Sequence, residues 1–392
     1  MNKTIKEKID ERVEKILPEL IELRHRLHRN PEIQLNEYDT AALIRSRLEA
    51  AGIETAEPII GTDTIAYIRG SGKRTILLRA DIDGLPITET GTSRWASQRP
   101  GFAHSCGHDG HIVMLLGAAL VLQELREAVP GTVELVFQPA EERAGGGKIL
   151  VEKGLLEREP VPDAVFALHG WPGRPLGSVC SVSGPMMAAA DRFSIEIIGR
   201  GGHGARPNRC VDPIAVSAQV VQALQTIVSR EVDPLEPVVV SLCMIHGGEA
   251  DNVIPERVEL KGTTRYFDPR YLETLPKRME EVIEGVCSGM RASYRFDYEP
   301  GYIPLINDGT MVDFARSVTK KYIGSGSWIE DSPRTMGGED FAYFLDKIPG
   351  AMLHLGLGED WPELHTATFD FNDDAIPFGI TLHCGLTFDF LG

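Results

Sequence analysis

The sequence predicts an α/β fold: a catalytic domain with a central, largely parallel mixed sheet flanked by helices, carrying an inserted ferredoxin-like domain. Strands alternate with helices before residue 185, a pattern typical of parallel sheets. After that point the predicted order becomes β-α-β-β-α-β, the ferredoxin-like split unit. Side chains of the metal-ligand type occur on both sides of this unit, at His104–His111 and at His365. Both ends of the chain are therefore expected to build one domain.

The chain is also too long for one ordinary hydrophobic core, since it has 392 residues. We therefore expect two domains. The catalytic domain comprises residues 1–185 plus 301–392, and the inserted domain comprises residues 186–300.

Hydrophobic periodicity places the elements of the first part of the chain. Apolar residues recur at helical spacing through the first 29 residues, and Pro18 is expected to kink or split that helix. The apolar run after His111 predicts a buried helix. The predicted elements are helices at 3–29, 37–51, from 112 onward and at 147–153, and strands at 64–68, 74–81, 132–139 and 163–168.

The inserted domain contains one motif that imitates a nucleotide site. Gly199–Gly204 matches G-x-G-x-x-G after a strand, but the helix signal starts only at Asp212–Pro213. A dinucleotide site needs its helix to begin at the glycines, so we reject that function. The glycines instead let a loop approach a ligand and present His203. The predicted elements here are strands at 190–198, 237–246, 257–267 and 292–299, and helices at 213–229 and 270–289.

Composition excludes several classes of partner. The net charge of −17 argues against nucleic acid and anionic membranes as partners. No apolar run is long enough for a membrane span, and the charged N-terminus is not a signal peptide. The six cysteines are scattered without a C-x-x-C pair, so we expect a cytoplasmic protein.

The run His104–His111 predicts a metal site. It holds three imidazoles, a thiol and a carboxylate directly before the buried helix. Such groups are costly to bury without a charge to neutralise, and a divalent metal ion is the simplest such charge. Further ligand candidates follow three predicted strands: Glu141–Glu142 after 132–139, His169 after 163–168, and His365 after Trp361–Leu364. Strands that deliver side chains from their C-terminal ends build the active sites of open α/β sheets.

The number of candidate ligands favours two metal ions. A catalytic zinc site takes three protein ligands and a water, whereas two ions about 3.5–4 Å apart use a larger set. Of the adjacent Glu141 and Glu142, which point in different directions, one can bind metal while its neighbour acts as general base. The candidates are Cys106, His108, Glu142, His169 and His365, with Asp81, Asp83 and Asp109 in reserve.

Motifs in a fixed order identify a family resemblance. They are His28–Glu32, Arg79–Pro86, Cys106–His111, Phe137–Glu142, Leu168–Pro172, Gly201–Ala205, Asn252–Pro255, Met336–Phe341 and the His365 segment. Over nearly its whole length the chain resembles the M20 metallopeptidase and amidohydrolase family. The resemblance is to the branch of aminoacylases, hippurate hydrolases and indole-acetyl-amino-acid hydrolases.

This resemblance implies a zinc-exopeptidase-like fold and a role for each ligand candidate. Glu141 becomes the catalytic base. Asp81 stands where much of the wider family has a ligand histidine, and the Cys106–His108 run is expected to replace that ligand. Asp81 and Asp83 then lie outside the ligand shell, where Asp83 orients the ligands. The implied metal ligands are Cys106, His108, Glu142, His169 and His365.

The resemblance also implies a role for the inserted domain as a lid and dimerisation domain. This domain would supply His203 as a catalytic residue and Asn252 and Arg265 as substrate-binding residues. Simpler interpretations remain for three of these side chains: Glu141 could pair with Arg143, Arg265 with a local carboxylate, and His203 could cap its own loop. The remaining histidines are expected to be structural, namely His25, His28, His246, His354 and His383.

The expected function is that of a metal-dependent amidohydrolase. It would cleave N-acyl-L-amino acids to a carboxylic acid and an amino acid, with a metal-activated water and Glu141 as general base. The expected cofactors are two divalent ions per subunit, Zn²⁺ or Mn²⁺ with Co²⁺ or Ni²⁺ as alternatives, and the expected assembly is a homodimer. Alternatives are a carboxypeptidase, an N-acetyl-diaminopimelate deacetylase, a thiol hydrolase with Cys106 as nucleophile and His108 or His111 as base, or an inactive binding relative.

Overall fold

A computed structural model describes residues 3–392, which form two compact units. The first unit contains the chain up to Gly184 together with Ile306–Pro333 and Asp340–Gly392, and the second contains Pro185–Leu305 and Arg334–Glu339. The sequence analysis placed the inserted domain at residues 186–300 and therefore assigned residues 334–339 to the catalytic domain. Those residues instead lie in the second unit, because their backbone bonds to its first residues: the amide of Thr335 donates to Met186 O and Ala188 N donates to Gly337 O.

The helices and strands of the described residues have the following bounds. The helices are α1 (Ile5–His28), α2 (Tyr38–Ala50), α3 (His108–Glu124), α4 (Gly146–Glu152), α5 (Pro213–Thr226), α6 (Tyr271–Gly289), α7 (Gly309–Tyr322), α8 (Ala342–Leu345) and α9 (Ile376–Leu391). The strands are β1 (Glu54–Thr55), β2 (Thr64–Arg69), β3 (Thr75–Asp81), β4 (Thr132–Gln138), β5 (Ala164–Trp171), β6 (Val179–Cys180), β7 (Gly184–Met187), β8 (Ala189–Ile198), β9 (Gly202–His203), β10 (Val238–His246), β11 (Val253–Ile254), β12 (Arg257–Tyr266), β13 (Ser293–Tyr302), β14 (Leu305–Asn307) and β15 (Gly350–Gly356).

The first unit confirms the predicted α/β class. Its sheet has the order β1-β2-β4-β3-β5-β15-β6. The four central strands β4, β3, β5 and β15 are parallel, whereas β1, β2 and β6 pair antiparallel at the edges. The central strands are buried except for one end residue each of β4 and β5, as expected for a parallel sheet covered by helices. Their carboxyl ends therefore meet at one edge of the sheet.

The helix α3 forms the centre of the first unit's core. It is apolar on nearly every side, and almost all of its residues are buried. It packs between α1, α9 and the sheet. Gly110 and Gly117 allow this close approach, since an added Cβ would lie 2.4 Å from the Phe371 ring at Gly110 and 2.6 Å from Ile380 at Gly117. The N-terminus of α3, which carries the histidine-rich run, is thereby held at the carboxyl edge of β3 and β5.

The second unit is an antiparallel sheet of order β10-β12-β8-β13 with α5 and α6 packed against it. Its four strands and two helices follow the predicted β-α-β-β-α-β order. Alternate residues of β8 and β12 face a separate apolar core that includes Phe193, Ile195 and Leu260. A short ribbon pairs β9 with β11 and sets His203 opposite Val253.

The helix α1 runs without a break through Pro18, where a kink or a split was expected. Two local expectations were wrong. The helix α3 begins at His108 rather than after His111, so ligand candidates lie in its first turn. The segment before His365 is a loop and not a strand, because the strand of this region, β15, already ends at Gly356. Within residues 3–392, none of the helices combines the length and hydrophobicity that a membrane crossing requires.

Candidate metal centre

The candidate ligands converge at the carboxyl edge of the first unit's sheet. The strand β3 ends at Asp81, β4 ends three residues before Glu141–Glu142, and β5 carries His169 near its end. Cys106 and His108 reach the same place from the loop before α3 and from its first turn. The structure thus brings together residues that are far apart in the chain, as parallel strands with helical crossovers do.

Cys106 lies at the centre of the ligand atoms. Its Sγ is 3.4 Å from His169 Nε2 and 3.3 Å from His365 Nε2, and His365 Nε2 is 3.2 Å from Glu142 Oε1. The ligand atoms form two groups, each within 4.8 Å. One group is Cys106, His108 and His169, the other is Cys106, Glu142 and His365, and the thiol belongs to both.

The polar atoms of the site can bind a cation, because some of them have no hydrogen-bond partner in the protein. Buried His108 Nε2 has no hydrogen-bond partner, and buried Glu142 Oε1 also accepts none despite its approach to His365. Buried polar groups are normally satisfied, so lone pairs that converge without donors are what a metal site requires. His, Cys and Glu are together a donor set for borderline divalent ions such as Zn²⁺.

The hydrogen bonds of the imidazoles orient their Nε2 atoms toward this centre. His108 Nδ1 is 3.1 Å from Asp83 Oδ1, and His169 Nδ1 is 2.8 Å from Gly170 O. A ring that donates through Nδ1 keeps its Nε2 lone pair available as a ligand. Asp83 also accepts the backbone N–H of Glu142 at 3.0 Å, so one carboxylate holds a histidine and a glutamate of the site.

Electrostatics explain why these groups need a cation. Burial raises the pKa of the Cys106 thiol well above its usual value, and the carboxylates of Glu142 and Glu141 raise it further. Burial alone would lower the pKa of His108, but the nearby Asp81 and Asp83 raise it to about 10. Thiolate and neutral imidazole are the forms that bind metal, so a bound cation has to displace a proton from each of these residues.

Asp81 and Asp83 have different hydrogen-bond partners: Asp83 bonds to the ligand His108, whereas Asp81 bonds to residues outside the ligand set. It accepts from His111 Nδ1 at 2.6 Å and from Arg79 Nη1 at 2.6 Å. Burial raises the pKa of Asp81, but the charges of His108, His111 and Arg79 outweigh it and keep this pKa well below the usual value. His111 Nε2 accepts from Gly170 N at 2.8 Å. The role of His111 is therefore to join β3 to the ligand strand β5, which its place in the histidine run did not predict.

Two residues of the site have a left-handed backbone that side chains normally avoid. Ala140, directly before Glu141, has φ 57°, and His365 has φ 61°. The amide of His365 donates to Ser105 O at 2.7 Å, which holds the loop against the segment that carries Cys106. Strained residues of this kind persist where the surrounding structure fixes them, and they concentrate at functional sites.

Two buried arginines fix the segments that carry the ligands. Arg24 Nε donates to Asp109 Oδ2 at 2.9 Å, next to His108, and its Nη2 donates to Asp370, in the loop that follows His365. His28 Nδ1 also contacts Asp109 Oδ2, at 2.8 Å. The helix α1 therefore ties two ligand-bearing segments together through one guanidinium. His28 was expected to be structural, and its contact is with Asp109 rather than with a ligand atom.

The second of these arginines is Arg79 on β3. Besides Asp81, it donates to Gln138 Oε1 at 2.8 Å and to Asp340 Oδ1 at 2.9 Å. Asp340 also accepts from Gly147 N at 2.7 Å. These bonds attach the start of the C-terminal part of the first unit to β3 and β4, below the ligand residues.

The remaining predicted site residues, His203, Asn252 and Arg265, belong to the second unit. His203 is exposed, and its Nδ1 accepts from Ala205 N at 3.1 Å, so a neutral ring carries its proton on Nε2. The amide of Gly204 donates to Asn252 O at 2.8 Å. Arg265 is half-buried on β12, and burial lowers its pKa. Within the described residues of this unit, no carboxylate forms an ion pair with Arg265.

Comparison with known proteins matches these features to one family. The sequence profile of peptidase family M20/M25/M40 matches residues 77–388. The chain is similar to an N-acyl-L-amino acid amidohydrolase of Geobacillus stearothermophilus, with 42% identity over 77% of this chain and 81% of that protein. It is also similar to an IAA-amino acid hydrolase of Arabidopsis thaliana, with 37% identity over 95% of this chain and 86% of the relative.

A solved structure extends the similarity to the fold. The YXEP protein of Bacillus subtilis, described as a dinuclear metal-binding peptidase, superposes with a TM-score of 0.84 at 33% identity. The match covers 96% of this chain and 99% of that one.

Asp109→Asn is expected to weaken metal binding about tenfold while the protein stays folded. The change keeps the side-chain volume but removes the charge that holds Arg24 and His28 beside His108, and outer-shell substitutions typically cost about 10–100-fold in affinity. Titration with Zn²⁺ in competition with a chromophoric chelator measures the effect. Asp10→Asn, in an exposed ion pair with Lys6 on α1, is the control. Unchanged affinity in a folded Asp109→Asn protein would contradict a positioning role.

Proposed function

This chain belongs to peptidase family M20/M25/M40, and from that membership we propose that it hydrolyses N-acyl-L-amino acids to a carboxylic acid and an amino acid. Metal-dependent hydrolysis of amide bonds follows from the family and its amidohydrolase relatives. The observation that carries the metal-dependent chemistry is the cluster of Cys106, Glu142 and His365 beside His108 and His169, with Glu141 next to it. The narrower choice of substrate is supported by the similar proteins.

We assign two divalent ions to this cluster. Cys106, His108, Glu142, His169 and His365 would hold these ions, and the Cys106 thiol belongs to both groups of ligand atoms. When bound, such ions polarise the amide carbonyl and make water more acidic. Burial of the site strengthens every such electrostatic effect, because little solvent remains to screen it.

Glu141 is proposed as the general base. Its side chain is buried, and a carboxylate oxygen lies within 4.8 Å of the ligand atoms of His108 and Glu142. A carboxylate in this place can take a proton from the water that attacks the amide carbon. It can then deliver that proton to the leaving nitrogen as the carbon–nitrogen bond breaks, so the same side chain serves both steps.

The second unit is proposed to bind the substrate and to form a homodimer. Arg265 has no carboxylate partner within its unit, and its planar guanidinium suits the α-carboxylate of an N-acyl amino acid. Asn252 adds an amide donor. His203 has an exposed Nε2 whose proton can be donated to the oxyanion that develops on the cleaved amide.

The similar proteins support this substrate class. Two relatives are described as acting on N-acyl amino acids and on IAA-amino acids, whereas the similar solved structure is described as a peptidase. Dipeptides are therefore the second candidate substrates. The deciding experiment is a hydrolysis panel of N-acetyl, N-benzoyl and indole-acetyl amino acids and dipeptides, measured with enzyme reconstituted with Zn²⁺ or Mn²⁺. Activity that persists after chelation but is lost on thiol alkylation would favour Cys106 as a nucleophile instead.

Glu141→Gln should retain the fold and the metal content but lower kcat by about 10²–10⁴-fold, because the amide side chain no longer accepts the proton. Hydrolysis assays measure the rate, and elemental analysis of the same preparation measures the metal content. Glu152→Gln, an exposed change on α4, is the control. Full turnover in Glu141→Gln with unchanged metals would remove Glu141 from the mechanism.

Conversion of the α-carboxylate of a good substrate to its primary amide should raise KM sharply, because Arg265 loses its bidentate partner. Arg265→Lys should lose part of the preference for the acid over the amide form of the substrate, and Arg265→Gln should lose most of it. The ratio of kcat/KM for the acid and amide forms is the quantity to compare. An acid and an amide that react equally well with the unmodified enzyme would show that no residue recognises this carboxylate.

Mixing inactive Glu141→Gln protein with inactive His203→Ala protein should restore activity. If His203 acts on the partner's site, each mixed dimer has one site with both residues intact. Subunit exchange is verified by mass spectrometry of differently tagged chains. Demonstrated exchange without any recovery would mean that His203 serves its own chain, in keeping with its bond to Ala205, or has no catalytic role.

A further inference from the structure

A polar cluster next to the ligand His169 has no part in the chemistry described so far. We call it the Arg174 cluster and define it by Arg174, Cys180, Ser332 and His354, all in the first unit. His354 lies directly beside His169 in the parallel pairing of β15 with β5, and their ring centroids are 6.3 Å apart. Trp171 stacks on His354 at 3.8 Å and also contacts His169.

Arg174 is buried without a counter-charge. Its exposure is 9%, its Nε has no partner, and Nη2 makes one long hydrogen bond of 3.3 Å to Ser332 Oγ. No carboxylate within residues 3–392 forms an ion pair with it. The other buried arginines of the described chain, Arg24 and Arg79, are each held by at least two carboxylates. A buried guanidinium without an anion is costly, so its presence calls for an explanation.

The rest of the Arg174 cluster supplies further hydrogen-bonding groups but no negative charge. His354 is buried and neither ring nitrogen has a partner; burial, aided by Arg174, lowers its pKa to about 3. Burial raises the pKa of the Cys180 thiol, despite the opposing effects of Ser332 and Arg174, so the thiol stays protonated. Trp171 and Ser332 are partly exposed, so the cluster has an edge that solvent reaches.

We propose that the Arg174 cluster is a binding subsite for a second carboxylate of the substrate, beside the α-carboxylate assigned to Arg265. This inference rests on the proposed function and narrows it to dianionic N-acyl amino acids. A carboxylate at the edge that solvent reaches neutralises Arg174 and accepts hydrogen bonds from its guanidinium and from the Ser332 hydroxyl. The cluster borders the ligand His169, so a substrate whose amide lies at the metal site can extend its second anionic group toward Arg174.

The second carboxylate can come from either half of the substrate, and two matched pairs distinguish the sources. N-acetyl-L-glutamate against N-acetyl-L-glutamine tests the amino-acid side chain. N-succinyl-L-alanine against its terminal amide tests the acyl group. Each pair differs only in one charge and has nearly the same shape. With metal-loaded enzyme, we expect kcat/KM to favour the acid about tenfold or more in one pair, the scale of a hydrogen bond to a charged group.

Substitution of Arg174 then tests whether this residue causes the preference for the acid member of the pair. Arg174→Gln should abolish the discrimination within that pair while hydrolysis of the neutral member changes less than about threefold, and Arg174→Lys should restore part of it. Arg126→Gln, an exposed change in the same unit, is the control. If Arg174→Gln fails to fold, the two substrate pairs with the unmodified enzyme and with Arg174→Lys still decide the question.

Each outcome has a distinct meaning. Equal efficiency on acid and amide in both pairs overturns the subsite, as does a preference that persists in Arg174→Gln. An equal loss on every substrate in Arg174→Gln shows a structural role and also overturns it. If no N-acyl amino acid is hydrolysed, the proposed function itself fails, whereas hydrolysis of neutral substrates without acid preference overturns only the subsite.

Discussion

The fold of the first unit depends on one electrostatic constraint, the burial of a thiol, two carboxylates and several imidazoles around a common centre. The Cys106 thiol lies within 3.4 Å of two imidazole nitrogens, those of His169 and His365. In a region of low dielectric, these groups either hold protons or share a cation. Metal binding therefore sets the protonation of the whole site, and the surrounding structure has to hold the ligands in place before the metal arrives.

The surrounding structure does this with rigid elements and buried ion pairs. The parallel strands β3, β4 and β5 end at the same edge, and α3 presents His108 from its first turn. Arg24 then joins α1 to the first turn of α3 and to the loop after His365, whereas Arg79 joins β3 to Asp340. Because a buried pair is strongly destabilised when one partner is removed, these arginines give the ligand segments little freedom to separate.

Much of this could be predicted from the sequence. The parallel sheet and the inserted β-α-β-β-α-β unit follow from hydrophobic periodicity, which reports which face of an element is buried. The ligand candidates follow from residue chemistry at strand ends. The start of α3 was missed because His108, Asp109 and His111 are polar residues that a buried helix rarely contains. Their burial is tolerable because distant residues bond to them: Asp83 to His108, Arg24 to Asp109 and Asp81 to His111. The pairing of Arg24 with Asp109 and Asp370 was also beyond prediction, since those residues are distant in sequence and no local pattern links them.

The most direct test of this account is the metal content of the protein. Protein purified without chelator should contain about two equivalents of divalent metal per chain by elemental analysis, and Cys106→Ala should lose both, because both ligand groups contain that thiol. A crystal structure should show the ions bound by Cys106, His108, Glu142, His169 and His365. A fully occupied site with one ion and with His365 unbound, or metal content unaffected by Cys106→Ala, would contradict the account.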